Sequence, residues 1–521
     1  MSAPALLLAN AGWQVHAQGV ENLFRAWRSW DDLGLASGFA AHAGFPVAPY
    51  RVRDTVRRDR DPKFRAYRSW LLATISESEI GPLQFWKTLR SDSAPPGADW
   101  LAARRFDDTG RALLAGMIFR ALKGTAPFLI FWLAVLTTLP VLIWTAFEFV
   151  RANHPVAGAV FLLGLVCSAF VVELLLLGYS PAGFHLVALL TLVPLATYAV
   201  LGHPTIRGLI LRAGAAGSLL GLCILCRATG VLLLPGFALA LWIGASRASA
   251  VRGGTVLRFG GRAAVTGAGL CLLLIPYLGL RAVSNGLVNR TLRRHALDEV
   301  SQFHDPALLL WKGLGDYDRT KGYSFDDAGG VKAMIRAAGR TDRESEVLLR
   351  SVIRRDIQAD PLWYAGILAK RAIATVSLYK LWPWAPLSGS SIVPARSPNE
   401  GVTDNYYLMI AQADWVSLGP WTVEAPLALL LIPTLILLAL SCVPNSAPRV
   451  GSQAAAAREA LPLLACIALA VLPTPVLITT ATAFEPECFV VVHLLALAFL
   501  VDGVLSLDRG RIDRASSPAA A

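Results

Sequence analysis

The sequence predicts an all-α, polytopic integral membrane protein, on three observations. About nine apolar stretches are long enough, or nearly so, to cross a bilayer, since a hydrocarbon core roughly 30 Å thick needs about 20 residues of helix. The chain of 521 residues is 55% apolar and only 16% charged, against about 25% charged for a soluble domain. Arginines gather in alternate connections between the stretches, the mark of a fixed orientation. Backbone amides in lipid must bond within their own helix, so the runs are expected to be helical.

The expected spans fall in two blocks. The first holds 125–150, 155–178, 182–201, 208–226, 228–246 and 262–281; the second holds 424–443, 460–482 and 487–503. The domain reading follows. Residues 1–124 form an N-terminal extracytoplasmic or interfacial segment, 125–281 the first membrane block, and 282–423 a helical loop domain. Residues 424–503 form the second block and 504–521 a tail.

Charge orients the blocks. The connection after the fifth span carries Arg247, Arg252, Arg258 and Arg262, and the tail carries Arg509, Arg511 and Arg514. Arg151 follows the first span, whereas the connection after the eighth holds only Glu485 and Glu487, and the turn 178–183 is uncharged. Excess Lys and Arg marks the cytoplasmic side. The 282–423 loop, the 504–521 tail and residues 1–124 are therefore expected outside, inside and outside. A translocated N-terminal segment needs a span before it. Residues 3–13 are apolar but short, so either a first helix precedes this chain or residues 3–20 make a poor one.

Composition excludes other classes. The net charge of +12 does not imply nucleic acid, because the arginines sit beside spans. The seven cysteines, Cys223 and Cys226 included, lie in spans or at their ends, as small apolar residues do, and form no disulfide framework.

Outside the spans, amphipathic spacing predicts more helices. Val20, Leu23, Phe24, Trp27 and Trp30 share one face. So do Leu113, Leu114, Met117, Ile118, Ala121 and Leu122 of 111–123, a basic juxtamembrane helix suited to the membrane interface. Val347, Leu348, Leu349, Val352, Ile353 and Ile357 mark a helix that stops before Pro361, and a second runs from Leu362 to Leu381. Between His304 and Asp327, glycines, aromatics and acids concentrate. Trp311, Asp316, Asp326 and Asp327 there suit contact with a polar acceptor, or a turn-rich cap on the spans.

Three places resemble one family, the GT-C superfamily of membrane glycosyltransferases. Gly221-Leu-Cys-Ile-Leu-Cys-Arg-Ala-Thr-Gly230 resembles its helix–Arg–x–Thr–helix turn. Phe106-Asp-Asp-Thr-Gly-Arg, running on to Gly124, is similar to its juxtamembrane helix. Ser29-Trp-Asp-Asp-Leu-Gly-Leu-Ala36 resembles its first outer loop, where an acidic residue follows the first span. The resemblance covers most of the chain as architecture.

It implies an inverting transfer of a sugar from a polyprenyl phosphate to an envelope lipid or glycan. The place implied is the outer face of a bacterial inner membrane, with membrane lipids as further partners and no nucleic acid. A carboxylate near that face would act as general base, and a basic group would stabilise the leaving phosphate. Asp31 and Asp32 hold the first-loop position, though a helix N-cap explains them too. Asp107 and Asp108 also precede a helix. Glu173 lies inside the second span, where an acid is a functional hypothesis by default; pairing with Arg227 or His185 is its structural alternative. Arg227, at an outer turn, suits the donor phosphate or an interfacial anchor.

The sequence departs from the family pattern twice. Pro181 stands where many members carry an acid, and the last span opens Glu485-Pro-Glu487-Cys488 without a basic residue. No cofactor is expected: no His/Asp/Glu cluster has metal-ligand spacing and no nucleotide phosphate loop is present, while a divalent metal stays open. Two other classes remain: a transporter or flippase-like protein, and an inactive partner subunit.

Overall fold

The structure is a computed structural model that describes residues 133–167, 171, 181–250, 259–294, 310, 311, 314, 321, 323, 342–377, 414–418, 421–425, 431–443, 451–478 and 486–516. The membrane part is helical. In order come α1 (Leu133–Arg151), α2 (Pro155–Cys167), α3 (Pro181–Val200), α4 (Ile206–Cys226), a 3-10 turn (Ala228–Leu233), α5 (Leu234–Ala250) and α6 (Phe259–Arg294). Two helices of the polar segment follow, α7 (Asp342–Ala359) and α8 (Pro361–Ser377). A hairpin pairs Asp414–Leu418 antiparallel with Trp421–Ala425, Val416 opposite Val423. Then come α9 (Leu431–Ser441), α10 (Gly451–Val471), a π turn (Thr474–Ile478), a 3-10 turn (Pro486–Phe489) and α11 (Val490–Ser516).

Five stretches are long and apolar enough to cross a membrane: Gly183–Val200, Ile206–Cys226, Thr229–Ala248, Phe259–Val283 and Ala454–Val471. Shorter apolar helices cover Pro155–Val166, Leu431–Ser441 and Val490–Leu505. The chain is therefore read as a multi-pass membrane protein.

α3 is the axis of the bundle. It is apolar all round, and Gly183–Val200 is 100% buried, as a helix without a polar face must be. α1, α4, α5 and α10 pack around it. α4 and α6 approach closely, through glycines one turn apart. A Cβ on Gly217 would collide with the Leu272 carbonyl, and one on Gly221 would lie 2.7 Å from the Tyr277 backbone nitrogen. Small residues four apart let helix backbones meet in lipid, where dispersion replaces the hydrophobic drive.

The outer helices show apolar stripes. Leu136, Leu139, Ile143, Phe147 and Val150 of α1 are exposed at spacings of three and four, the pattern of a face turned to acyl chains. On α6, Ile275, Leu278, Leu280 and Val283 are also exposed.

Contacts between helix ends sort the bundle into two faces. At the first, the ends of α1, α3, α5 and α9 meet the starts of α2, α4, α6 and α10. Arg247 donates to the carbonyls of Val200 and, at 3.4 Å, Gly202. Arg458 Nε donates to Ser441 O at 3.0 Å and its Nη2 to Val443 O. The last carbonyls of α3 and α9 thus find partners, as the end of a helix requires. Between α1 and α2, Asn153 takes φ 63, a left-handed conformation that Asn tolerates. Next to it, His154 Nδ1 lies 2.8 Å from Asp502 Oδ2 and Nε2 3.7 Å from Glu459 Oε2, joining this turn to α10 and α11.

The same face holds a buried ion pair. Glu148 side-chain exposure is 1%, and Arg212 Nε donates to its Oε1 at 2.7 Å. Trp144 Nε1 donates to the same oxygen at 3.0 Å. The Arg212 guanidinium lies 3.6 Å from the centre of the Tyr198 ring, whose hydroxyl accepts from the Thr205 amide at 2.9 Å. This face is called the basic face below.

Candidate functional site

The opposite face is built from helices that break. α4 ends at Cys226, and Arg227 takes an extended conformation, φ −150 and ψ 100, its amide still bonded to Cys223 O. Six residues of 3-10 helix follow, with Gly230 N bonded to Arg227 O at 3.0 Å. Pro235 then sits in the first turn of α5, where its missing N–H costs nothing. α10 stops at Val471, and Pro473 explains why: it donates no ladder bond, and in a continued helix its ring would clash with the carbonyl four residues back. The chain continues as the π turn Thr474–Ile478. The 3-10 turn Pro486–Phe489 opens α11 on this side. The turn after α4 touches the π turn, and α8 packs on both later breaks.

Polar side chains are buried at these breaks. His185, in the first turn of α3, is 1% exposed, and its Nδ1 lies 3.4 Å from Thr229 Oγ1. Arg371 of α8 is 2% exposed and its Nη1 donates to Val476 O in the π turn at 3.4 Å. Thr474 and His493 are fully buried, and His493 Nδ1 lies 2.6 Å from Thr434 Oγ1. A buried cation is costly unless it is bonded and paired. The helix of the polar segment therefore places its guanidinium against a backbone carbonyl of the π turn.

The polar segment has a small core of its own. Leu314, Tyr323, Ile353 and Ile367 are buried together, with Trp311, Trp363 and Tyr364 against them. The Trp311 and Tyr323 ring centres are 4.6 Å apart, and Tyr323 stacks on Trp363 at 5.6 Å. Lys321 Nζ lies 4.5 Å above the Trp363 ring and 3.3 Å from Asp360 Oδ2. Tyr323 donates to Asp356 Oδ2 at 3.0 Å. Burial first, then that hydrogen bond and the Asp356 charge, push the phenol well above its ordinary pKa, with Arg355 opposing.

Of the residues singled out from sequence, two lie within the described part. Arg227 stands half-buried at the break after α4, and Trp311 is half-buried in the aromatic core. No contact between them is described. Asp31, Asp32, Asp107, Asp108, Glu173, Asp316, Asp326 and Asp327 lie outside the described residues, as do helix 111–123 and the turn 178–180.

Sequence reading passed over Arg371. Its signal was phase: Ile367, Arg371 and Thr375 are spaced by four and are 2%, 2% and 1% exposed, so one helix face carries all three. A cation in step with an apolar stripe marks a buried charge. Glu148 and Arg212 had no comparable signal, being 64 residues apart.

No family model, curated protein or solved structure matches this chain.

Proposed function

We propose that the chain is a membrane glycosyltransferase. It moves a sugar from a polyprenyl-phosphate donor to an envelope lipid or glycan at the outer face of the bacterial inner membrane. The observation that carries the reading is the face opposite the arginine-capped helix ends. There α8 packs on the two later helix breaks and the turn after α4 touches the π turn, with Arg227, His185, Thr229 and Arg371 at or beside them. The chemistry requires a lipid tail in the bundle, a phosphate at its end and an acceptor above the membrane. A face with broken helices, a buried and a half-buried arginine and a helical polar segment suits all three.

In this reading Arg227 holds the donor phosphate at the head of the apolar bundle and offsets its growing charge as the glycosyl bond breaks. Arg371 ties the polar segment, which would present the acceptor, to the π turn. Trp311, Asp316, Asp326 and Asp327 contact the acceptor. One of Asp31, Asp32, Asp107, Asp108 and Glu173 takes the acceptor proton as the lipid phosphate leaves, so the anomeric carbon inverts. The 282–423 loop then faces the periplasm and the basic face the cytoplasm, in keeping with the arginine asymmetry. The GT-C-like arrangement of about nine spans is part of the same proposal.

The test is sugar transfer by the purified chain from a labelled polyprenyl-phosphate donor. Asp31→Asn or Asp32→Asn should lower turnover by about 10²–10⁴-fold with binding retained, the usual worth of a general base. Arg227→Ala should weaken donor affinity at normal protein levels. Loss of turnover in Glu173→Gln alone would move the base to the second span. A wild-type protein that never consumes donor would end the enzyme reading in favour of a transporter or an inactive partner subunit.

A further inference from the structure

We infer that the arginine pair Arg151 and Arg212, where α1 and α4 are joined at the basic face, binds the phosphate of an anionic phospholipid. Arg212 and Arg151 both approach the Tyr198 ring, at 3.6 and 5.9 Å from its centre. Glu148 engages only Nε of Arg212. The two Nη groups of Arg212 donate to no described residue, and Arg151 is exposed with no carboxylate partner among the described residues. The second Glu148 oxygen is buried and bonded to nothing described, so its charge is held away from the surface. Arg151 is thus exposed and Arg212, its side chain 16% exposed, keeps two Nη groups without a described acceptor, both guanidinium groups lying near one aromatic ring. Planar guanidinium donors suit phosphate oxygens, which they clamp in pairs, and stacking on a ring limits the freedom lost on binding.

The apolar surroundings choose the source of the phosphate. Phe147 and Val150 flank Glu148 and Arg151 on α1 and are 57% and 60% exposed, and Leu211 beside Arg212 on α4 is 63% exposed. A free phosphate gains nothing from this apolar rim, whereas a phospholipid places its acyl chains along it. The Glu148–Arg212 pair links α1 and α4 at this point and both pack on α3, so an occupied site also ties the two helices together. Basic pockets between membrane helices are the known setting for such headgroups. The site lies on the face opposite Arg227 and does not depend on the glycosyltransferase reading.

The experiment is native mass spectrometry of the full chain in detergent, titrated with phosphatidylglycerol, phosphatidylcholine of the same acyl length, or inorganic phosphate. Phosphatidylglycerol should be retained more tightly than phosphatidylcholine. Arg151→Gln should lower phosphatidylglycerol retention about fivefold, the usual worth of one basic residue near an anionic headgroup, and leave phosphatidylcholine unchanged. Arg151 is exposed, so this variant should fold even if Arg212→Gln does not. Arg212→Lys, which keeps the charge and loses the fork, should fall between wild type and Arg151→Gln. Equal retention of the two lipids, or an unchanged Arg151→Gln, would overturn the site. Displacement of the lipid by millimolar inorganic phosphate would overturn the lipid as its ligand.

Discussion

The two faces of this bundle use arginine for different ends. At the basic face Arg247 and Arg458 close the carbonyl ends of intact helices, and Arg212 neutralises a buried acid. At the opposite face Arg371 reaches a carbonyl freed by a proline-broken helix, and Arg227 stands at the break after α4. In lipid every backbone group needs a partner, so both uses meet the same demand. The difference lies in what is left over. Regular helix ends leave their carbonyls capped by arginine, whereas the breaks set Arg227, His185, Thr229 and Arg371 beside irregular backbone. A high arginine count is therefore no guide to function until each arginine is assigned its partner.

The contrast is broken most severely at the buried pair. Glu148→Ala should cost about 3 kcal/mol, since removing one partner leaves a mostly buried charge uncompensated. Equilibrium unfolding in mixed micelles would read it. The double variant Glu148→Ala/Arg212→Leu should regain much of the loss, because no charge is left stranded. If the single variant is neutral, the basic face is not held by this pair.

The joint between the faces comes next. Gly217→Ala should destabilise by about 2 kcal/mol, an overpacking cost, because its methyl group would meet the Leu272 backbone rather than a movable side chain. Gly214 has open space around it, so Gly214→Ala should be neutral or slightly stabilising in the same assay. Equal effects at both positions would undo the close α4–α6 approach.

A smaller effect separates capping from phosphate binding. Arg458→Ala should lose about 1.5 kcal/mol, the worth of a charged hydrogen bond, without altering donor affinity. Arg227→Ala should do the reverse. Matching changes in both variants would erase the distinction between the faces.

The smallest effect falls in the polar segment. Tyr323→Phe removes one hydrogen bond, worth about 1 kcal/mol. The native phenol has a raised pKa, so its stabilising contribution is complete below the ordinary tyrosine value of 10.0 and is lost as pH rises through the raised value. Ultraviolet titration should show a late-ionising tyrosine in the wild type that Tyr323→Phe lacks.

Local sequence determined a good deal. Runs of apolar residues made helices from α1 to α6 and α9 to α11 predictable, because hydropathy and the backbone's need for internal bonds act residue by residue. The expected span 460–482 runs through Pro473, whereas α10 stops at Val471 because a proline donates no ladder bond; the apolar phase of 347–357 foretold α7, which ends at Ala359 before Pro361. Tertiary structure alone decided which helix became the axis. α3 and α4 read as equally apolar, yet α3 is wholly buried and α4 about half, since burial depends on how many neighbours surround a helix. It alone also paired Glu148 with Arg212 and set Arg371 on the π turn. The rotation of each helix about its axis fixes which side chains meet across a bundle, and that rotation is settled by packing with partners distant in sequence.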